Sequence, residues 1–211
     1  MSYILIENLT KSFNQRVILN GISLSIEKGD KVALVAQNGT GKSTLLKIMM
    51  DKEPYDSGLI TKQKGVKTAF LDQEPNLNLD KTVKEEIFAS DSPIINAVKL
   101  YEESLHNPDD LEKMQIAFDL MTKHDAWSYE ERIQEVLRNL NLHKLDEKIA
   151  TFSGGQKKRV ALAKILIDTP EFLIMDEPTN HLDLQMIDWL EGYLQEQNIT
   201  LLMVTHDRYF L

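Results

Sequence analysis

At residues 31–36 the chain runs Lys-Val-Ala-Leu-Val-Ala, then passes directly into Gln37-Asn38-Gly39-Thr40-Gly41-Lys42-Ser43-Thr44 and the apolar-rich segment Leu45-Leu46-Lys47-Ile48-Met49-Met50. A short continuous apolar run suits a strand buried on both faces of a sheet, and residues 42–50 suit a helix. A strand feeding a glycine-rich loop and then a helix restricts the fold to the α/β class, with a ligand beyond the C-terminal ends of parallel strands. Backbone N–H groups at such a helix N-terminus point outward, and glycines let that backbone wrap closely around an anion.

The spacing also assigns chemistry to single residues. Lys42 is placed to bind the β- and γ-phosphates of a nucleotide and Ser43 to ligate Mg²⁺, with Asn38, Gly39, Thr40, Gly41 and Thr44 completing the phosphate cradle. The usual pattern begins with glycine, where this chain has Ala36. Alanine is tolerated there if its φ is negative, because only a left-handed backbone strongly demands glycine.

A second apolar run, Phe172-Leu173-Ile174-Met175, ends in Asp176-Glu177. That puts two carboxylates at the C-terminal end of a buried strand, with the phosphate loop expected on the neighbouring strand. Adjacent side chains at a strand end diverge, which allows two tasks. Asp176 is expected to hold Mg²⁺ through water, and Glu177 to polarise an attacking water as general base.

Between these segments, Ser153-Gly154-Gly155-Gln156 reads as a capping box at the start of a helix. Two glycines in a first turn each cost about 1 kcal/mol relative to alanine. That expense makes sense if a phosphate must approach the bare helix terminus, so the cap and the anion site are compatible readings. Gln73 follows a strand at about 66–71 and is a candidate contact for Mg²⁺ or the lytic water. His206 follows the last strand and is a candidate donor to the γ-phosphate. Phe13 is a candidate for stacking on adenine.

Strands at about 3–6, 17–26, 59–61 and 200–204, with a charged helical stretch over 82–145, complete the pattern. The apolar fraction of 42% and charged fraction of 27% are those of an ordinary folded domain. Cysteine is absent, which excludes disulfides and thiolate metal sites and is compatible with a cytoplasmic location. No stretch approaches the roughly 20 apolar residues of a membrane helix, so direct membrane insertion is not expected. The net charge of -9 repels polyanions on average, and residues 90–132 hold ten acidic against four basic side chains. Contact with RNA would therefore need a few focused basic side chains.

Taken together, these segments resemble the ATP-binding cassette superfamily over nearly the whole chain. Phe13 matches the adenine-stacking loop, residues 36–44 Walker A, and Gln73 the Q-loop. Residues 152–156 match the signature, with Phe152 in place of the usual leucine. Asp176-Glu177 ends Walker B, Asp183 is the D-loop aspartate and His206 the switch histidine. The run Asn180-His181-Leu182-Asp183 is similar to the ABC-F subfamily, twin-cassette ATPases without membrane domains, many acting on the ribosome; within it the N-terminal cassette of the Uup type looks nearest.

The resemblance implies a P-loop NTPase fold of the ABC type, with a mostly parallel core sheet, an N-terminal antiparallel β subdomain and an inserted α-helical subdomain. Residues 1–75 and 151–211 would form the ATP-binding core and residues 76–150 the helical subdomain, within one cassette cut short after the switch histidine. It further implies that ATP with Mg²⁺ is sandwiched between Walker A of one cassette and the signature of another, so turnover by one cassette alone is expected to be weak. The expected partners are a second cassette and a ribosome, RNA or DNA client. The alternative is the ATP-binding subunit of a membrane transporter.

Overall fold

The computed structural model describes residues 2–35, 39–89 and 92–205. They form two compact units, one from residues up to 75 together with those from 170 onward, the other from residues 76–169.

In the first unit a long hairpin pairs β1 (Ser2–Phe13) with β2 (Arg16–Glu27). Asn14 turns the chain at a φ of 54° between the paired residues Phe13 and Arg16; asparagine is one of the few side chains that visits this left-handed region readily. Next come β3 (Lys31–Val35), α1 (Lys42–Met49), β4 (Ser57–Lys62) and β5 (Thr68–Leu71). The chain then builds the second unit from α2 (Val83–Ile87), α3 (Pro93–Leu105), α4 (Leu111–Lys123), α5 (Trp127–Asn139) and α6 (Gly154–Ile167). It returns to the first unit for β6 (Phe172–Asp176), α7 (Leu184–Glu196) and β7 (Thr200–Thr205).

Two sheets result, an antiparallel one in the order β2-β1-β4 and a parallel one in the order β3-β7-β6-β5. Leu45, Leu46, Ile48 and Met49 of α1 share one core with Ile6 and Ile26 of the antiparallel sheet and with Ile174 and Val204 of the parallel sheet. Truncating a side chain buried like Leu46 to alanine costs about 2–5 kcal/mol, so this core holds the helix behind the phosphate loop in place.

The parallel sheet corrects two expectations. Residues of β6 and β7 are buried throughout, as continuous apolar runs predict for central strands. β3 has an equally apolar sequence, yet Lys31, Ala33 and Val35 are exposed and only Val32 and Leu34 are half-buried. The exposed residues alternate, so they share one face of the strand, and among the described residues β3 lies at the edge of the sheet with β7 as its paired strand. The strand carrying Asp176 is likewise not the neighbour of β3, because β7 lies between them.

Local signals set the helix boundaries of the second unit. Thr82 and Glu85 form a reciprocal capping box on α2, Pro93 opens α3, and the Asp110 carboxylate accepts from the Lys113 N–H at 3.0 Å to start α4. α3 and α4 pack as a helical hairpin, and the Trp127 ring meets Tyr101 edge-on at 5.0 Å and Phe118 at 5.1 Å. The Tyr129 hydroxyl donates to the Ile167 carbonyl, and Lys164 pairs with the buried Glu86. These contacts tie α6 to α5 and α2 within the second unit, which runs to residue 169. No helix among the described residues is long and apolar enough to cross a membrane.

Candidate functional site: a phosphate cradle facing two carboxylates

The cradle is built by approach of the loop to β2. Gly41 caps α1 with a φ of 94°, and a Cβ placed on it would lie 2.5 Å from Ile18 Cγ2 and 3.0 Å from Leu19 Cδ2. Glycine is thus required twice, by the left-handed backbone and by the close packing. Gly39 also has a positive φ, 79°, but among the described residues nothing lies within 4 Å of a Cβ placed on it. Among the described residues no side chain caps α1 and no acidic residue lies in its first turn, so no fixed negative charge there offsets the positive end of the helix dipole.

Across from the loop, Asp176 is 1% exposed and Glu177 7%. The Glu177 N–H still pairs with the Val204 carbonyl at 2.9 Å, but its φ of 50° departs from the strand. Regular pleating would send adjacent side chains to opposite faces. The left-handed step at Glu177 breaks that alternation, and both carboxylates line one cavity of about 610 Å³. Backbone strain of this kind in a non-glycine residue persists only where surrounding structure enforces it, and it gathers at functional sites.

The same cavity is lined by Phe13, Gly39, Gly41, Lys42, Ser43, Thr44 and Gln73, all drawn from the first unit. Thr40 and Asp183 are not among its lining. Phe13, expected in a loop, is the last residue of β1. Ile18 and Asn180 also line the cavity and were not singled out for it; Ile18 reads as an ordinary strand residue, and only the tertiary approach of the loop places it there. Ala36, Asn38 and His206 lie outside the described residues.

Ser153, Gly154, Gly155 and Gln156 belong to the second unit. The Ser153 side chain accepts from the Gln156 N–H at 3.3 Å, and the Gln156 amide oxygen accepts from the Ser153 N–H at 2.8 Å, completing the capping box. Asp183 caps α7, accepting from the Met186 N–H at 2.9 Å.

This constellation suits a nucleotide triphosphate and a small hard cation. Ser43 and Asp176, both with oxygen-bearing side chains, line one cavity, and no cluster of three or more His, Cys, Asp or Glu that could hold a metal occurs among the described residues. Mg²⁺ fits that donor set, since it usually takes one or two protein oxygens and completes its shell with water and phosphate.

A family model described as ABC transporter matches residues 19–180. The chain belongs to that family. It is 39% identical over 218 residues to the uncharacterized ABC transporter ATP-binding protein YfmR of Bacillus subtilis, covering all of this chain and 35% of that protein. It is 37% identical to ABC transporter F family member 5 of Arabidopsis thaliana, covering 98% of the chain and 32% of the relative. It is 38% identical to the energy-dependent translational throttle protein EttA of Escherichia coli K12, covering 93% and 37%. The chain thus spans about a third of the length of these curated relatives. A solved ATP-binding subunit of an ABC transporter shares the fold, with a TM-score of 0.69 at 23% identity, over 97% of this chain and 79% of that one.

Proposed function

We propose that the chain is the N-terminal cassette of an ABC-F protein, most like the Uup type, that binds MgATP and hydrolyses it when closed head to tail on a second cassette. The closure would drive work on a ribosome or nucleic-acid partner in the cytoplasm. The observation that carries the ATPase reading is the single cavity joining Lys42 and Ser43 of the phosphate loop to Asp176 and Glu177.

Each residue then has a task. The Lys42 ammonium pairs with β- and γ-phosphate oxygens beside the N-terminus of α1. Ser43 and Asp176 hold Mg²⁺, Asp176 through water, and the Gln73 amide contacts the ion or the lytic water. When bound, the ion neutralises phosphate charge in the transition state. The Glu177 carboxylate accepts the proton of the water that attacks the γ-phosphorus, and Phe13 stacks on the adenine. His206 donates to the γ-phosphate.

Ser153, Gly154, Gly155 and Gln156, with Asp183, complete the site of the facing cassette. A Cβ on Gly154 would meet nothing within 4 Å, and Gly154 is not among the glycines with positive φ. Folding therefore does not demand glycine there, and a phosphate approaching the helix end gives the reason for it.

The subfamily assignment is supported by Asn180-His181-Leu182-Asp183 and by relatives named as an F family member and as a translational throttle protein. The transporter-subunit alternative is not favoured, because the solved transporter subunit at 23% identity speaks for the fold alone. Calorimetry tests the nucleotide site: the chain is expected to bind MgATP and Lys42→Ala to lose most of that affinity, and unchanged affinity removes Lys42 from the site. For the partner, the full-length Glu177→Gln protein loaded with ATP is expected to retain ribosomes in a pull-down. Capture of a membrane protein in their place would overturn the ABC-F reading.

A further inference from the structure

Behind the Phe13 ring sits a lysine that the phosphate chemistry does not use. Lys11 is 7% exposed, and its ammonium lies 4.7 Å from the centroid of the Phe13 ring and 2.8 Å from the Glu53 carboxylate. Lysine is almost never this buried without a partner, because desolvating the ammonium is costly. Here two groups offset that cost, a carboxylate and the negative face of an aromatic ring within the roughly 6 Å range of cation–π attraction.

Phe13 itself is 44% exposed at the end of β1, next to the hairpin turn. A large ring with that much solvent around it has little packing to hold one rotamer, and ordering it on ligand binding would cost affinity. We infer that Lys11 is a positioning residue: held by Glu53, it pins the Phe13 ring by a cation–π contact so that one ring face is ready for the nucleotide base. An ammonium over one face leaves the other for a flat ligand. Glu53 lies just beyond the C-terminal end of α1, the helix whose N-terminus carries Lys42. The Lys11–Glu53 pair thereby links the base-stacking ring to the helix of the phosphate loop.

This inference rests on the reading that Phe13 stacks on the base, and its test uses two probes, MgATP and magnesium tripolyphosphate, which lacks a base. Lys11→Met keeps an unbranched apolar stem and removes the charge. It is expected to weaken MgATP binding about three- to thirtyfold, the usual range of a cation–π contact, and to leave tripolyphosphate affinity unchanged. Lys11→Arg restores most of the loss, since a guanidinium also stacks on an aromatic face. In a Phe13→Leu background Lys11→Met adds no further loss, because the two residues act as a unit.

If Lys11→Met fails to fold by circular dichroism, Glu53→Gln carries the same comparison, with a smaller loss confined to MgATP. Equal losses for both probes would show that Lys11 acts on the phosphate loop as a whole, and no loss for MgATP would show that the ring needs no pin; either overturns the inference. A wild-type chain that binds tripolyphosphate as tightly as MgATP overturns base stacking alone. One that binds neither overturns the nucleotide site.

Discussion

Replacing Gly41 by alanine tests the construction of the cradle with a magnitude that comes from the geometry. An alanine at φ 94° leaves the backbone regions open to L-residues, at about 1–2 kcal/mol. Its Cβ would also stand 2.5 Å from Ile18 Cγ2, on a β-branched side chain with little rotamer freedom, and 3.3 Å from the Ile18 carbonyl oxygen. Overpacking of that kind adds about 1–3 kcal/mol. The expected loss is therefore about 2–5 kcal/mol for Gly41→Ala, combining these backbone and packing costs. Gly39→Ala shares the positive φ, 79°, with no atom of the described residues within 4 Å of its Cβ. It should lose only the backbone share, about 1–2 kcal/mol. Urea denaturation followed by circular dichroism measures both, and the difference between the two midpoints isolates the contact with Ile18. If Gly41→Ala is no less stable than Gly39→Ala, then β2 does not hold the loop.

On the proposed pairing with a second cassette, Glu177→Gln should keep MgATP binding and lower turnover about 10²–10⁴-fold, the usual contribution of a general base; near-normal phosphate release would remove Glu177 from that role. Glu130 supplies a pH-dependent prediction, because burial first, then the nearby Glu102 and Glu131 charges, raise its pKa above the ordinary 4.5. A raised carboxylate pKa means that folding takes up a proton. The contribution is present in full below the unfolded pKa and is lost as pH rises through the folded one. At pH 7 the ionised Glu130 opposes folding, so Glu130→Gln should raise Tm at pH 7 and lose that advantage below about pH 4, near the unfolded value. An advantage that persists in acid would refute the assignment.

Much of the local structure around the candidate site was legible because its signals are local. The loop from Gly39 to Thr44 announces itself by glycine spacing between an apolar run and a helical one, and Ser153 with Gln156 reads as a capping box that forms in full. The apolar runs of β6 and β7 likewise match strands buried from end to end. Yet the equally apolar β3 has exposed residues, since hydropathy records what a strand can bury and not which of its faces is covered. Ile18 carries no chemical signal of any kind, and Lys11 looks like one more surface lysine.

What the amino-acid order determined by itself was the kit: a glycine-rich loop before a helix, a carboxylate pair at a strand end, a capped glycine-rich helix and the motif order that places the chain among ABC cassettes. Those features depend on spacing over a few residues, where backbone geometry leaves few choices. The tertiary structure decided the strand order that sets β7 between β3 and β6, and the left-handed step at Glu177, which lines the cavity with Asp176. It also decided the approach of Ile18 to Gly41 and the seating of Lys11 between Glu53 and Phe13. Each of these brings together residues from separate elements, so each follows from how the sheets close around α1 rather than from any one stretch of sequence.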